Sequence, residues 1–546
     1  MQPDYKGLPH RLTRGAGVRP TARARRHVGC VGLETKCCIP WVLTVACQLL
    51  TVLARRSAPF ASKPGEQASD GGNGKMESVI GFLNTIFWGY VLIYGLLAVG
   101  IYFTLRLGFV QIVHFGEMFR VITGAQRTDK AGISPFQALT VSLASRVGTG
   151  NIAGVAVALY LGGPGAIFWM WMVALVGMAT AYSESTLAQL YKVTDDDGQY
   201  RGGPAFYIAR GLGAPWAGYV FSVCLILSFG LVFNAVQANS IADAMEGAFG
   251  LPKIVVGIAV AALAGVIIFG GLKQIARVAE IVVPFMAGAY LLLAIWVLIA
   301  NATHVPGIIG LILSSAFGFH EAAGGVAGGI AAAMLNGVKR GLFSNEAGMG
   351  SAPNIAACAT PNPHHPSSQG FVQALGVFID TILVCTATAV MILLSGALEP
   401  GSGVTGTQLT QAALHVHFGE AGRYFVAIAI FFFAFTSIIG NYSYAENAVT
   451  YIGHGHTTGF IVLRVLVLLM VVWGAIQTVA TVFDAADASM GLMATINLIA
   501  ILLLSGTVVK LTRDYFAQRH AGKEPEFHAA DYPELGDGVD REIWSR

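Results

Sequence analysis

From about residue 76 onward the chain alternates between apolar runs of roughly 20 residues and short polar turns, the pattern of helices that each cross a bilayer. The runs fall at about 78–106, 134–161, 163–191, 215–245, 253–271, 276–300, 322–358, 368–398, 421–452, 458–477 and 483–512, which predicts eleven spans. Shorter amphipathic pieces at about 109–125, 199–213, 303–319 and 405–418 are expected to lie on the membrane surface or to plug a vestibule. The fold class is therefore an all-α polytopic membrane protein.

Two of the runs are interrupted. In the second, Ser142-Leu-Ala-Ser-Arg-Val-Gly-Thr-Gly-Asn151 sets Gly-x-Gly beside Arg146 and Asn151 at mid-span. A spanning helix must satisfy its own backbone hydrogen bonds, so this stretch predicts a helix broken at membrane depth. A break frees carbonyls for a small cation and leaves a half-helix N-terminus for a carboxylate, a recurrent way of building a carrier site. Five spans later Lys339-Arg-Gly-Leu-Phe-Ser-Asn-Glu-Ala-Gly-Met-Gly350 repeats the device. Close helix packing accounts for glycines in Ala-rich stretches such as 324–333. Packing does not require the Asn345 and Glu346 beside the second Gly-x-Gly. Two broken helices in corresponding places predict an inverted repeat with its site near the midplane.

Composition agrees with the pattern: 55% of the 546 residues are hydrophobic and 12% charged, about half the charged share of a soluble domain, roughly 25%. Mean hydropathy is +0.64. A net charge of +3 gives no argument for nucleic acid as a partner. The seven cysteines show neither metal-ligand spacing nor a disulfide framework, and those in the spans read as small core residues. Lys and Arg concentrate after the first, third, fifth and last spans (Arg106, Arg120, Arg127, Lys130; Lys192, Arg201, Arg210; Lys273, Arg277; Lys510, Arg513, Arg519), while the opposite loops hold little beyond Lys253 and Arg423. This places the C-terminus in the cytoplasm.

Residues 1–75 differ: an Arg-rich stretch, an apolar run from Cys37 to Ala54, then a Pro/Gly/Ser linker. An exported basic leader conflicts with the charge rule unless that run also spans, so residues 1–75 read as a disordered leader or an over-extended reading frame before Met76. Residues 76–515 read as the transporter domain and 516–546 as a polar cytoplasmic tail.

The stretch Gly162-Gly-Pro-Gly-Ala-Ile-Phe-Trp-Met-Trp171, followed by Met-Val-Ala-Leu-Val-Gly177, resembles the signature of the alanine or glycine:cation symporter family, also called sodium:alanine symporters. Val-Gly-Thr-Gly-Asn before it and Phe-Ser-Asn-Glu-Ala-Gly-Met-Gly after it match the same family in the same order, and the likeness covers about Met76 to Tyr515. The resemblance implies a leucine-transporter-like fold: one extra helix, then five plus five helices in inverted topology. It implies that Gly148, Thr149 and Gly150 contact the substrate carboxylate, that Asn151 ligates a cation, and that Phe343 and Ser344 contact substrate and cation, with Asn345 and Gly348 at the same break. It also implies that Thr436 and Ser437 in the ninth span ligate sodium opposite the carbonyls of Ala144 and Val147. Hydroxyls and carbonyls are the hard oxygens sodium prefers. Such hydroxyls otherwise bond back to the preceding helical turn.

Glu346 departs from the leucine-type pattern, which has a small hydroxyl there. It pairs with Arg146, the favoured partner because it is present in the empty carrier too, holds the substrate ammonium, or does both; the remaining alternative is a role in helix packing alone. Asp380 reads as a cation site, a proton relay or a partner of Arg146; Gln237, with Asn234 nearby, bonds either substrate or a neighbouring helix. Glu184, Asp484 and Asp487 are expected near the membrane surfaces, solvated.

Together these readings describe a secondary active transporter of the bacterial inner membrane, with alanine or glycine as substrate, sodium as coupling ion and no further cofactor. No P-loop, HExxH or triad order suggests an enzyme. A carrier of this fold for another solute, a proton-coupled carrier, and a channel are the alternatives; two dissimilar breaks in one chain favour a carrier over repeated filter loops.

Overall fold

Two helices that start as ordinary spans stop in mid-course, and the rest of the molecule packs around their ends. The computed structural model describes residues 81–545 apart from 83, 124–130, 319–325, 400 and 454–456. The leader, with its Cys37 to Ala54 run, lies outside the described residues.

In chain order the elements are α1 (Leu92–Arg106, entered through a π-turn Phe87–Val91), α2 (Val110–Val113), α3 (Phe115–Thr123), α4 (Pro135–Arg146), α5 (Gly150–Gly162), α6 (Gly165–Leu190), a two-residue antiparallel pair β1 (Val193–Thr194) and β2 (Tyr200–Arg201), and α7 (Pro204–Gly211). Then come α8 (Pro215–Phe249), α9 (Lys253–Ile268), α10 (Gly271–Ala300), α11 (Val305–Ala316), α12 (Val326–Asn345) and α13 (Pro353–Ala357). The last six are α14 (Ser367–Ser395), α15 (Gly406–Phe418), α16 (Glu420–Gly453), α17 (Thr457–Ala475), α18 (Val479–Leu503) and α19 (Ser505–His520).

Seven of these helices (α6, α8, α10, α14, α16, α17 and α18) are each long and apolar enough to cross a bilayer. The remaining expected spans fall short for separate reasons: α1 is preceded by its π-turn, α9 has 16 residues, and α4–α5 and α12–α13 are the broken pair. The amphipathic pieces appear as α2–α3, α7, α11 and α15.

Two boundaries are corrected. The chain bends at Gly270, so Lys273 and Arg277 ride on the first turns of α10 instead of in a loop. The last span ends at Leu503, and α19 is a separate helix carrying Lys510, Arg513 and Arg519 through the boundary expected near 516. Beyond it Trp544 is fully buried, its Nε1 donating to Leu190 O at 3.3 Å, so the end of the chain packs back on α6.

Helix α6 packs against α12, α14 and α1, while α8 packs against α16 and α17; α4 lies between α10 and α16. The start of α4 is fixed by a capping box, in which Ser134 Oγ accepts from Gln137 N and Gln137 Oε1 accepts from Ser134 N. Just before that cap, Ile133 N donates to Cys358 O at 3.0 Å and Thr360 N to Ile133 O at 2.9 Å. The outer ends of both broken helices are thereby tied together, leaving their broken ends to meet inside the molecule.

Candidate functional site

At the first break, α4 ends in Arg146 and Val147 takes φ −77° and ψ 79°, an inverse γ-turn in which Gly148 N donates to Arg146 O at 2.9 Å. The chain resumes at Gly150 as a π-helical turn, Gly150–Gly154. Side-chain oxygens meet the amides this exposes: Asn151 Oδ1 accepts from Gly148 N at 2.9 Å, and Gln237 Oε1 from α8 accepts from Thr149 N at 3.0 Å. Thr149, Asn151 and Gln237 are buried. A β-carbon at position 148 would meet Ser437 Oγ at 2.2 Å and Ser437 Cβ at 3.2 Å, so a larger residue here would force the Ser437 side chain of α16 to shift.

At the second break α12 ends at Asn345, and Glu346 takes φ 59°, a left-handed conformation that costs a non-glycine residue on the order of 1–3 kcal/mol. Ser145 Oγ and Ser351 Oγ hold its carboxyl, each at 2.6 Å. Asn345 Oδ1 accepts from Ala347 N at 3.0 Å, and its Nδ2 is buried without a partner. The next turn, at Gly348, is secured by Asn497 of α18, whose Nδ2 donates to Gly348 O at 3.0 Å and to Glu184 Oε1 at 3.1 Å.

Besides the Ser145–Glu346 bond, the breaks approach closely at Gly150, where a β-carbon would lie 3.1 Å from both Ser344 Cα and Phe343 Cδ1. Around that crossing sits Asp380, on a π-helical stretch of α14, Phe378–Cys385. Its Oδ1 accepts from Asn151 Nδ2 at 2.7 Å, and its Oδ2 accepts from Ser344 Oγ and Thr381 Oγ1, each at 2.7 Å. Its main-chain carbonyl accepts from Asn151 Nδ2 at 3.1 Å. Cys385 Sγ completes the cluster, 3.3 Å from Asn151 Nδ2 and 3.1 Å from Ser344 Oγ. Phe343 stacks on Phe233 with centroids 4.7 Å apart, forming an aromatic layer with Phe483.

Most of the sequence-derived residues thus converge on one buried region: Gly148, Thr149, Gly150, Asn151, Gln237, Phe343, Ser344 and Asp380 share hydrogen bonds or close approaches, and Ser437 borders Gly148. Thr436 Oγ1 and Ser437 Oγ both donate to Phe433 O at 3.0 Å. Among the described residues Arg146 makes no ion pair; its Nη1 donates to Gln373 O at 3.2 Å and its Nε is unpartnered. The expected pairing of Arg146 with Glu346 is therefore corrected: the Arg146 side chain runs to α14, and two serines occupy the carboxyl instead. Glu184 and Asp487, expected in solvated positions, are buried, at 1% and 0% exposure. Asp487 Oδ2 lies 2.6 Å from Lys339 Nζ and 2.8 Å from Arg340 Nη2, so an ion cluster takes the place of water.

Sequence reasoning missed Ser145, Thr381, Cys385, Asn441 and Asn497. Each is a polar side chain inside an apolar span, which was the available signal, but only the fold says which of them face the breaks.

The profile described as the sodium:alanine symporter family matches residues 73–529. The amino-acid carrier protein AlsT of Bacillus subtilis is 50% identical over 458 residues, covering 84% of this chain and 96% of that protein. The probable sodium/glutamine symporter GlnT of the same organism is 49% identical over 454 residues, 83% of this chain and 93% of that one. The sodium/proton-dependent alanine carrier protein of Bacillus sp. (strain PS3) is 42% identical over 437 residues, 76% of this chain and 95% of its own.

Proposed function

The chain belongs to the sodium:alanine symporter family, and from that premise we propose that it couples the entry of sodium to the uptake of alanine across the bacterial inner membrane, with its C-terminus in the cytoplasm. The observation that carries this reading is the crossing of the two broken helices, where an oxygen cluster centred on Asp380 adjoins the amides of Gly148 and Thr149. Gln237 Oε1 and Asn151 Oδ1 accept from those amides where a substrate carboxylate would accept instead, and Asp380 with Ser344 and Thr381 offers hard oxygens for sodium. Thr436, Ser437 and the carbonyls of Ala144 and Val147 form the second cation locus in this proposal; Phe343, Asn345, Glu346 and Gly348 line the substrate side. Glycine fits the same chemistry, since one methylene is worth only about 1–3 kcal/mol in a pocket.

The test is uptake of labelled alanine into proteoliposomes under an inward sodium gradient, with glycine, D-alanine and glutamine as competitors and choline replacing sodium. Saturable uptake that vanishes in choline is expected. Uptake unchanged in choline would sink sodium coupling, and stronger competition by glutamine than by glycine would reassign the substrate.

A second reading, cotransport of a proton, rests on hydrogen-bond bookkeeping at Glu346. Gly230 O accepts from Asn234 Nδ2, and Asn234 Oδ1 accepts from Asn441 Nδ2, so Asn441 must present Oδ1 to Ser145. Ser145 Oγ lies 2.6 Å from both that oxygen and Glu346 Oε1, yet it has one hydrogen. If the hydrogen goes to Asn441, the short contact to Glu346 requires a proton on the carboxyl. On this reading a proton gradient alone drives uptake by the wild type, and Glu346→Gln abolishes that component while expression is retained. A wild type that ignores the proton gradient removes the second reading.

A further inference from the structure

Asn151 touches both halves of the candidate site with opposite ends of one amide. Its Oδ1 accepts from Gly148 N at 2.9 Å, and its Nδ2 donates to Asp380 Oδ1 at 2.7 Å and to Asp380 O at 3.1 Å. The orientation is forced, because a backbone N–H can only donate and a carboxylate can only accept. The amide therefore presents an acceptor where the substrate carboxylate must approach, and a donor where a cation must sit beside Asp380. In this orientation it opposes both ligands.

We propose that the side-chain amide of Asn151 is the coupling switch of this carrier: sodium at Asp380 turns the amide over, and the turned amide completes the carboxylate site. The inference rests on the reading of the site as a sodium-coupled amino-acid site. Rotation by half a turn aims Oδ1 at the cation and Nδ2 at the space beside Gly148. Gly148 N–H then loses its side-chain acceptor and keeps only the bent γ-turn bond to Arg146 O. Gly148 N–H and Asn151 Nδ2–H now face the same space as two donors that cannot satisfy each other, and a carboxylate between them satisfies both. Without sodium the same space holds the acceptor Oδ1, which repels a carboxylate.

Asn151 and Asp380 both lie on π-helical stretches, Gly150–Gly154 and Phe378–Cys385, and a polarizable neighbour, Cys385 Sγ at 3.3 Å, is the remaining contact of Nδ2. A thiol accepts weakly, so leaving it costs little. Reciprocity follows: a bound carboxylate holds the amide in the orientation that favours sodium, and each ligand raises affinity for the other by the same factor. Hydrogen bonds to charged groups and typical coupling strengths put that factor at about tenfold to a hundredfold.

The experiment is calorimetric titration of L-alanine into the purified full-length protein in sodium chloride and in choline chloride, for the wild type, Asn151→Ala and Asn151→Asp, with thermal unfolding of each variant to establish folding. The wild type is expected to bind alanine about tenfold or more tightly in sodium. In Asn151→Ala the side-chain acceptor of Gly148 N–H is gone, so alanine affinity in choline should rise above the wild-type value and differ from that in sodium by less than about twofold. Asn151→Asp presents acceptors in every orientation; sodium should raise its melting temperature while alanine does not.

Wild-type binding that ignores sodium would overturn the sodium-coupled reading itself. With sodium dependence present in the wild type, an Ala variant that keeps the full dependence, or loses alanine binding in both salts, would overturn the switch. Should the Ala variant not fold, the switch is equally overturned if alanine stabilises Asn151→Asp as it does the wild type.

Discussion

At the scale of single residues, Asp380 is where hydrogen bonding and charge coincide. Its carboxylate accepts from Asn151, Ser344 and Thr381, three side chains contributed by three different stretches of chain, and among the described residues it has no ion pair. A buried carboxylate without a fixed cation is costly, and hydrogen bonds to it are worth about 1.5–3 kcal/mol each. On the proposed reading a sodium ion would supply the missing charge. Asp380→Asn keeps the shape and removes that charge; the sodium concentration for half-maximal uptake should rise about tenfold or more, with a smaller change in the half-saturating alanine concentration at high sodium. Equal weakening of both would make Asp380 a general support of the fold. Polarity in an apolar run made Asp380 legible in the sequence, as it did Gln237 and Glu346. Partnership was not legible: Arg146 is four residues from Gly150 and looks like the natural counter-charge to Glu346, yet its guanidinium lies against Gln373, because side-chain direction at the end of a helix depends on packing that no local pattern records.

At the scale of elements, both breaks were readable because Gly-x-Gly beside polar residues cannot continue a membrane helix, and the spans were readable from apolar length. The π-helical turns were not, since one extra residue in a turn leaves the apolar pattern unchanged; these turns carry Asn151 and Asp380 to each other. The contact of the two broken helices is tight. With Ser344 Cα 3.1 Å from the place of a β-carbon on Gly150, Gly150→Ala requires the second half-helix to give by a few tenths of an ångström, and overpacking of this kind costs about 1–3 kcal/mol. Alanine uptake should fall by at least about fivefold with membrane expression retained; unchanged uptake would mean that the crossing relaxes freely.

A second inter-element contact joins two titratable groups. His365 Nδ1 accepts from Ser367 N at 3.1 Å at the start of α14, which leaves Nε2–H to meet Asp514 Oδ2 of α19 at 3.2 Å. Burial holds the His365 imidazole below its ordinary value, opposed by Asp514. Burial alone would raise the Asp514 carboxyl, but the bond from His365 and its other hydrogen bonds hold it below the usual range. A base depressed in the fold contributes its full stability above its unfolded value of about 6.5, and that contribution is lost as pH falls toward the folded value. Asp514 adds stability above about 3.9 that is lost on further acidification. The melting temperature of the wild type should therefore drop between pH 7.5 and 5.5 by more than that of His365→Gln. Parallel curves for the two proteins would exclude His365 as the cause.

At the scale of the whole molecule, the property that matters for a carrier is that the site is shut. Thr149, Asn151, Ser344, Asp380, Thr436 and Ser437 are all at 0% exposure. A solute at the crossing exchanges with neither side until helices move, which is the condition for coupling without leak. Cys385 reports on that motion. It is 2% exposed and touches both Asn151 and Ser344, so a small thiol reagent reaches it only when the carrier opens. In a protein whose other cysteines are replaced by serine or alanine, the labelling rate of Cys385 measures the open population. Ligands that bind the closed form alone shift that population by mass action, by about a hundredfold at a concentration one hundred times the dissociation constant. Sodium with alanine should therefore slow labelling by up to that factor, alanine in choline should slow it much less, and urea-denatured protein should label at the full rate. Labelling that is equally fast with and without both ligands would show that Cys385 is reached by a route unconnected with transport, and that the closed crossing is not the state in which the carrier holds its cargo.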